Sequence, residues 1–244
     1  MENQTFTETF RLAQADCDLA NRAMPAALLR KAQQLAIDHC NAVGLTDDVY
    51  LRTGTAFLMA KVALEIYRPI RLGEQLRATT MPSQPKRAVY NRLTTFEDEQ
   101  GQLAALYDSR WVLVDVNSRR ILRQPPEGLP IAFDQTVDKE LDFGVERLPV
   151  GQGRPILAGY SLCDCNRHIN NTRYADLVCD AIDPAAMAES RVKRIVLVYH
   201  NEVPFGQEFT LAAAQGEGGY WYVQGTQEAK RCLEAAVWLE TDRD

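Results

Sequence analysis

No stretch of this 244-residue chain approaches the roughly 18 uninterrupted apolar residues of a membrane helix, so no spanning segment is expected. Its first residues, MENQTFTETFRLAQ, show neither a cationic start nor an apolar run, which argues against a secretory leader. Together these absences predict a soluble, cytoplasmic protein that does not act on a membrane. An excess of positive charge is missing too: 27 Lys and Arg stand against 33 Asp and Glu, a net charge of −6. That balance argues against nucleic acid as a main partner, and an acidic protein partner would need a local basic patch. Arg30 with Lys31, Lys86 with Arg87, and Arg119 and Arg120 with Arg123 are the candidates, each more readily read as solvated surface charge.

Histidine is scarce, at three residues, and no complete zinc pattern accompanies it. Cys163 and Cys165 lie close to His168, but the second half of a metal-binding spacing is absent, so neither a metal nor another cofactor is expected. The six cysteines are expected as reduced thiols, several acting as small hydrophobes. Gly151-Gln152-Gly153 is not followed by the helix that a nucleotide cradle requires. No serine sits in the strand–helix elbow of a serine hydrolase.

What is present is ordinary globular material, 46% hydrophobic and 25% charged, enough for a core of one large domain or two smaller ones. An alternating strand over 5–12 precedes a helix that begins at Pro25 and repeats Leu28, Ala32, Leu35, Ala36, Cys40 and Val43 before stopping at Gly44. After a turn-rich stretch over 46–54, strands are expected over 56–67, 75–81, 88–96 and 103–116. Residues 124–152 are rich in Pro, Gly and charge, and read as a linker. The pattern then restarts, with a strand over 156–163, a helix over 171–182, and strands over 194–199, 208–214, 220–226 and 232–240. A helix followed by an antiparallel meander, twice, gives an α+β chain of two units, 1–123 and 153–244.

Two segment matches support duplication. Asp16-Cys17-Asp18 precedes the first helix as Asp164-Cys165-Asn166 precedes the second, and 66–74 aligns with 199–207, where an apolar residue, Gly and then Glu or Gln opens a strand. In this alignment Asn166, His168 and Glu202 face Asp18, Ala20 and Pro69, so only the second unit keeps the histidine and the carboxylate that catalysis would use. The first unit is then expected to supply packing and a binding pocket, with Leu28, Leu29 and 56–64 as candidates. His39 reads as a core histidine and His200 as a neighbour of the site at most. Trp111, Trp221 and Trp238 read as strand core, one of them a candidate for lining a pocket.

If 164–168 is extended, alternation puts Asp164, Asn166 and His168 on one face. The segment leads into a helix where Asn170 or Asn171 suits the N-cap, and free N–H groups there are expected to steady a developing oxyanion. Read from spacing alone, such a cluster is either catalytic or merely a capped turn.

The string NRHINNTRY with the preceding Asp164, and the later VYHNEVPFGQE, resemble the acyl-acyl-carrier-protein thioesterases of plant plastids and bacteria. The family signature Asp-x-Asn-x-His-x-Asn-Asn followed by an aromatic residue is matched by Asp164, Asn166, His168, Asn170, Asn171 and Tyr174. Arg110-Trp111-Val112 and the arginine pair Arg119-Arg120 are similar to a further family segment, and the likeness runs from about Thr5 to Glu240. The resemblance implies two tandem hot-dog domains, each a long helix wrapped by a curved antiparallel sheet. It implies hydrolysis of acyl-acyl carrier protein to end fatty acid synthesis, with the carrier's phosphopantetheine-linked acyl chain as substrate and the protein a monomer or homodimer. It also implies Asp164, Asn166, His168 and Glu202 as catalytic residues. Many relatives carry a cysteine directly after the glutamate; here it is Val203, which leaves no cysteine nucleophile unless Cys165 substitutes. Glu202 is then expected, in a partly buried setting, as the base acting on water, or less favourably as a nucleophile. Asn166 and His168 position the water or polarise the carbonyl, and Asp164 holds one of them. An acyl-coenzyme A thioesterase, a dehydratase of the same fold and a non-catalytic acyl-binding protein are the alternatives.

Overall fold

The structure, a computed structural model, describes residues 4–136 and 139–241. Strand β1 (Phe6–Arg11) is followed by α1 (Pro25–Ala42). Pro25 opens α1 because its locked φ suits the first turn, where its missing N–H has no helical acceptor to lose. Leu28, Leu29, Ala32, Leu35, Ala36 and His39 share the buried face, and each buried leucine contributes about 2 kcal/mol relative to an exposed one. The turn-rich stretch contains α2 (Asp47–Thr53), which periodicity could not reveal because none of its residues is buried. Then come β2 (Thr55–Ile66), β3 (Gln75–Pro82), β4 (Val89–Glu97) and β5 (Leu103–Asp115).

The second half repeats the plan with β6 (Arg154–Leu157), α3 (Arg173–Ala181), α4 (Pro184–Glu189), β7 (Ser190–Tyr199), β8 (Glu208–Gln215), β9 (Tyr220–Gln227) and β10 (Lys230–Thr241). The strand expected over 156–163 is only four residues long, because the chain leaves the sheet at Ala158 to build a loop. The Ala-rich segment is helical, capped by Asp183, whose carboxylate accepts the N–H groups of Ala185 and Ala186.

The sheet order is β1-β3-β4-β5-β2-β7-β10-β9-β8-β6, a five-stranded unit and its repeat joined edge to edge. The junction is the antiparallel pair β2–β7, with Lys61 opposite Val198 and Glu65 opposite Arg194. One face carries α1 and α3, and a single apolar core runs through both halves. Arg30 ties the two helical regions by reaching Asp16 at 3.1 Å and Asp176 at 3.2 Å. Side chains alternate along strands, so Ala63, Leu106, Val196 and Ala236 point to the other face, where they form a second cluster.

The stretch expected as a linker carries no helix or strand among its described residues, yet it is packed. Leu141, Phe143, Val145, Leu148 and Val150 cover the second cluster. The Leu141 N–H reaches Asp108 at 3.0 Å, and Arg147 reaches Glu234 at 2.7 Å. Burial pushes the Asp108 carboxyl up from 3.8 to about 6 although Arg110 stands beside it. Burial would also raise Glu234, but hydrogen bonds from Arg147, Tyr222 and His200 outweigh it and hold that carboxyl at about 2. Among the described residues no helix is long and apolar enough to cross a membrane.

Candidate active site

Two loops of the second half meet. The first runs from β6 to α3 and contains Asp164, Asn166 and His168. It is a tight turn, not the extended run that alternation assumed: the Asp164 N–H reaches the His168 carbonyl at 3.2 Å and the Arg167 N–H reaches the Asp164 carbonyl at 3.0 Å. Arg167 sits at φ +63, a left-handed conformation that costs a non-glycine residue about 1 kcal/mol. The second loop, between β7 and β8, contains Glu202. Two backbone hydrogen bonds fasten the loops together, Ile169 N–H to Val203 at 3.0 Å and Phe205 N–H to Arg167 at 2.8 Å.

The docking brings His168 Nε2 to 3.8 Å from Glu202 Oε1, with side-chain exposures of 18% and 58%. Glu202 is therefore open to solvent where partial burial was expected. His168 Nδ1 lies 3.0 Å from the Ile169 carbonyl. A carbonyl only accepts, so Nδ1 carries a proton and Nε2 is the ring nitrogen that faces Glu202. Asp164 holds neither His168 nor the Asn166 side chain. One of its oxygens accepts the Asn166 backbone N–H and the other the Asn170 amide, both at 2.9 Å. Asn166 is exposed, and its side chain makes no hydrogen bond among the described residues. Its amide donors remain available to a bound molecule.

Beneath the loops lies an aromatic floor. Tyr174 packs on Tyr199 and Phe209, with ring centroids 5.9 and 6.0 Å apart. Burial pushes both tyrosine hydroxyls up, so they act as neutral donors, that of Tyr199 to the Asn171 carbonyl at 2.9 Å. Val203 is fully buried; the position where relatives carry cysteine faces the core here. Cys165 is exposed, one residue before Asn166.

Three expectations are corrected. The first turn of α3 offers few free donors for an oxyanion, because the Thr172 N–H is bound to the Asn170 side chain and the Arg173 N–H to the Asn170 carbonyl, each at 2.9 Å. His200 belongs to another cluster, with Nε2 2.8 Å from Glu234. Two of the basic patches are already paired, Arg30 with Asp16 and Asp176, Lys31 with Glu8 and Lys86 with Glu140.

Models of two protein families match the chain: the acyl-ACP thioesterase N-terminal domain over residues 3–131 and the acyl-ACP thioesterase C-terminal domain over residues 156–235. The chain belongs to the acyl-ACP thioesterase family. Among curated proteins it is 22% identical over 213 residues to the chloroplastic acyl-[acyl-carrier-protein] hydrolase FATB3 of Cuphea viscosissima, covering 81% of this chain and 52% of that protein. It is 20% identical over 237 residues to the chloroplastic palmitoyl-acyl carrier protein thioesterase of Cuphea hookeriana, covering 88% and 56%. The chain thus spans about half the length of the curated relatives it matches. Among solved structures, the 12:0-ACP thioesterase from Umbellularia californica superposes with a TM-score of 0.88 at 15% identity, covering 99% of each chain. An acyl-ACP thioesterase from Bacteroides thetaiotaomicron does so with a TM-score of 0.87 at 18% identity, covering 98% of this chain and 99% of its own. These likenesses establish the tandem hot-dog fold.

Within that fold the first half of this acyl-ACP thioesterase family member contains the same pair of loops. The Asp18 N–H reaches Arg22, the Asn21 N–H reaches Asp18, the Ala23 N–H reaches Ile70 and the Leu72 N–H reaches Asn21, bond for bond as in the second half. Asn21, at φ +57, matches Arg167. Gly73 and Gly206, at φ +79 and +81, are matching left-handed turns, which explains the glycine shared by the two segments.

The backbone register revises the sequence alignment. Asp18 is the counterpart of Asp164, Ala20 of Asn166, Arg22 of His168 and Met24 of Asn170, two residues away from the pairing that the Asp-Cys strings suggested. Pro69 remains opposite Glu202. Arg22 is a tie, not a reactive group: its Nε reaches Asp18 and its Nη2 the Ser190 carbonyl, both at 2.8 Å. A groove of about 1220 Å³ opens beside this first-half loop, lined by Ile66, Pro69, Ser190, Trp221 and Trp238 among others. Trp221 and Trp238 thus line a groove away from His168, whereas Trp111 donates to Ser109 at 2.9 Å.

Proposed function

We propose that this protein hydrolyses the thioester joining a fatty acyl chain to the phosphopantetheine arm of acyl carrier protein, with Asn166, His168 and Glu202 acting at the thioester and Asp164 ordering the turn that presents the first two. Membership of the acyl-ACP thioesterase family supports the substrate class. The observation that supports the chemistry most is the approach of His168 Nε2 to 3.8 Å from Glu202 Oε1 across two loops, a gap beside which one water can be held by both groups.

The ring tautomer divides the labour. In the form with its one proton on Nδ1, His168 has no N–H at Nε2, so in that form it accepts from the water and aims it. It cannot donate to a carbonyl. The free amide of Asn166 is left to polarise the thioester oxygen. Glu202 takes the proton as the water oxygen bonds to the acyl carbon. The tetrahedral intermediate then expels the thiolate, which takes the proton held by Glu202, and the free acid departs. The buried Val203 removes the adjacent nucleophile, in keeping with attack by water.

The division into 1–123, a connecting 124–152 and 153–244 belongs to the proposal, and the two five-stranded units support it. So does an acyl pocket built from the first half. With Lys61 opposite Val198, residues 55–60 of β2 run on past the end of β7, on the side where the chain proceeds to Glu202. A cytoplasmic setting, a place at the end of fatty acid synthesis and a monomeric or homodimeric state complete the reading.

Free-thiol release from acyl-acyl carrier protein substrates of medium and long chain length, measured beside the matching coenzyme A esters, tests it. Glu202→Gln and His168→Ala are each expected to lower turnover by about two to four orders of magnitude. A folded Glu202→Gln protein with unchanged turnover excludes the base role. Preference for the coenzyme A esters would replace the carrier protein as partner.

A further inference from the structure

We infer that Asn170 is a positioning residue that frees His168 for catalysis by taking possession of Asp164; the inference rests on the function proposed above. In the first half, Asp18 uses one oxygen for the N–H groups of Ala20 and Arg22 and the other for the Arg22 side chain, so the residue at the histidine's place is held by the aspartate. In the second half, Asp164 keeps the bond to the Asn166 N–H, but its other oxygen receives the Asn170 amide at 2.9 Å. The counterpart of Asn170 is Met24, which has no polar group to offer in that role.

The Asn170 amide has one reading. Its oxygen faces the Thr172 N–H at 2.9 Å and the Thr172 hydroxyl at 2.7 Å. The N–H can only donate, so the amide nitrogen must be the atom that faces Asp164. Asn170 therefore joins the start of α3 to the catalytic turn, and the Asn170 N–H pins the same loop to the Leu162 carbonyl at 2.9 Å. With Asp164 held back, the His168 ring is left to its Nδ1 bond with Ile169 and to Glu202. Without that hold, the carboxylate is free to swing onto the imidazole, as Asp18 holds Arg22.

Asn170→Asp separates this role from helix capping. Aspartate caps as well as asparagine and keeps the acceptor for Thr172, but it sets a second carboxylate against Asp164. On an acyl thioester that the wild type hydrolyses, kcat is expected to fall by about 10- to 100-fold with KM little changed. Asp164→Asn/Asn170→Asp exchanges donor and acceptor across the same contact and is expected to recover most of that loss. Asn170→Ser, which caps but is too short to reach Asp164, is expected to match Asn170→Asp. Wild-type kcat in Asn170→Asp or Asn170→Ser, or a double variant no better than Asn170→Asp, overturns the inference. Loss of thiol release from the wild type itself would instead overturn the function on which it rests.

Discussion

Asp18 and Asp164 occupy the same place in the two halves, and each accepts the backbone N–H two residues on, at 2.9 Å. Around the first, Arg22 is only 7% exposed and is tied to Asp18 and to the Ser190 carbonyl of the other half. Around the second, the His168 ring is not tied to the aspartate, and a carboxylate stands 3.8 Å from it. The backbone of the loop is common to both, so the hydrogen bonds that make the loop are not what sets the halves apart. Three side-chain exchanges do: histidine for arginine, asparagine for alanine and glutamate for proline. In one half the loop is a joint to the other half, and in the other its side chains keep donors and acceptors unspent.

The comparison breaks most visibly if the second loop is given the first loop's side chain. His168→Arg removes the Nε2 lone pair and supplies a guanidinium that Glu202 and Asp164 can hold, so turnover is expected to fall by about 10³-fold while the melting temperature changes little. Thiol release and a thermal melt on the same preparation check it. A variant retaining a tenth of the wild-type rate would show that residue 168 handles no water.

The reverse exchange should be felt in stability. Arg22→His loses the reach to both Asp18 and Ser190. Breaking a buried ion pair costs 3–5 kcal/mol, and because Asp18 is 30% exposed and stays partly solvated the expected loss is about 2–3 kcal/mol. Urea unfolding should show a lower midpoint at unchanged slope, with turnover nearly preserved. A stable protein with impaired turnover would mean that the first-half loop contributes to chemistry after all.

Two buried carboxylates on the outer face of the sheet sharpen the contrast between the halves. Asp108, raised from 3.8 to about 6, penalises the folded state when charged; its contribution is fully present below about 3.8 and is lost as pH rises through about 6. Glu234, lowered from 4.5 to about 2, has the opposite sign; its contribution is present above about 4.5 and is lost as pH falls through about 2. Stability should therefore rise from pH 7 toward the region between 4 and 5 and fall again below it. Asp108→Asn should flatten the neutral limb and Glu234→Gln the acid limb of unfolding midpoints taken against pH. A neutral limb unchanged by Asp108→Asn would disprove the assignment.

Most of this architecture was legible from residue order, because the forces that set it are periodic. The face of α1 from Leu28 to His39 and the long meanders declare themselves at helical and strand spacing. The strap over 139–150 does not, since Leu141, Phe143, Val145, Leu148 and Val150 pack on a sheet face without helical or strand geometry of their own. The candidate site residues were named by the signature, but their arrangement was not legible. Asp16-Cys17-Asp18 looks like Asp164-Cys165-Asn166, yet register in a turn is set by which N–H meets which carbonyl, and those bonds align Asp18 with Asp164. Side-chain identity carried the alignment two residues astray and hid Arg22 as the true counterpart of His168. Likewise Asn170 looked like a helix cap, and only its bond to Asp164 shows a second duty.

The smallest effect belongs to Ala20. It stands where Asn166 stands in the other half, is exposed, and contributes to its loop through its backbone N–H to Asp18, which any side chain leaves in place. Ala20→Asn should therefore change stability by no more than about 0.5 kcal/mol. It should also add no turnover to a His168→Ala protein, because the neighbouring Arg22 has no lone pair to aim a water and Pro69 no carboxylate to take its proton. Unfolding midpoints and thiol release from the paired variants decide this. Thiol release in Ala20→Asn/His168→Ala above that of His168→Ala alone would mean that the groove beside Pro69 still admits an acyl thioester in reactive geometry. The first half would then have lost its catalytic side chains without losing its site.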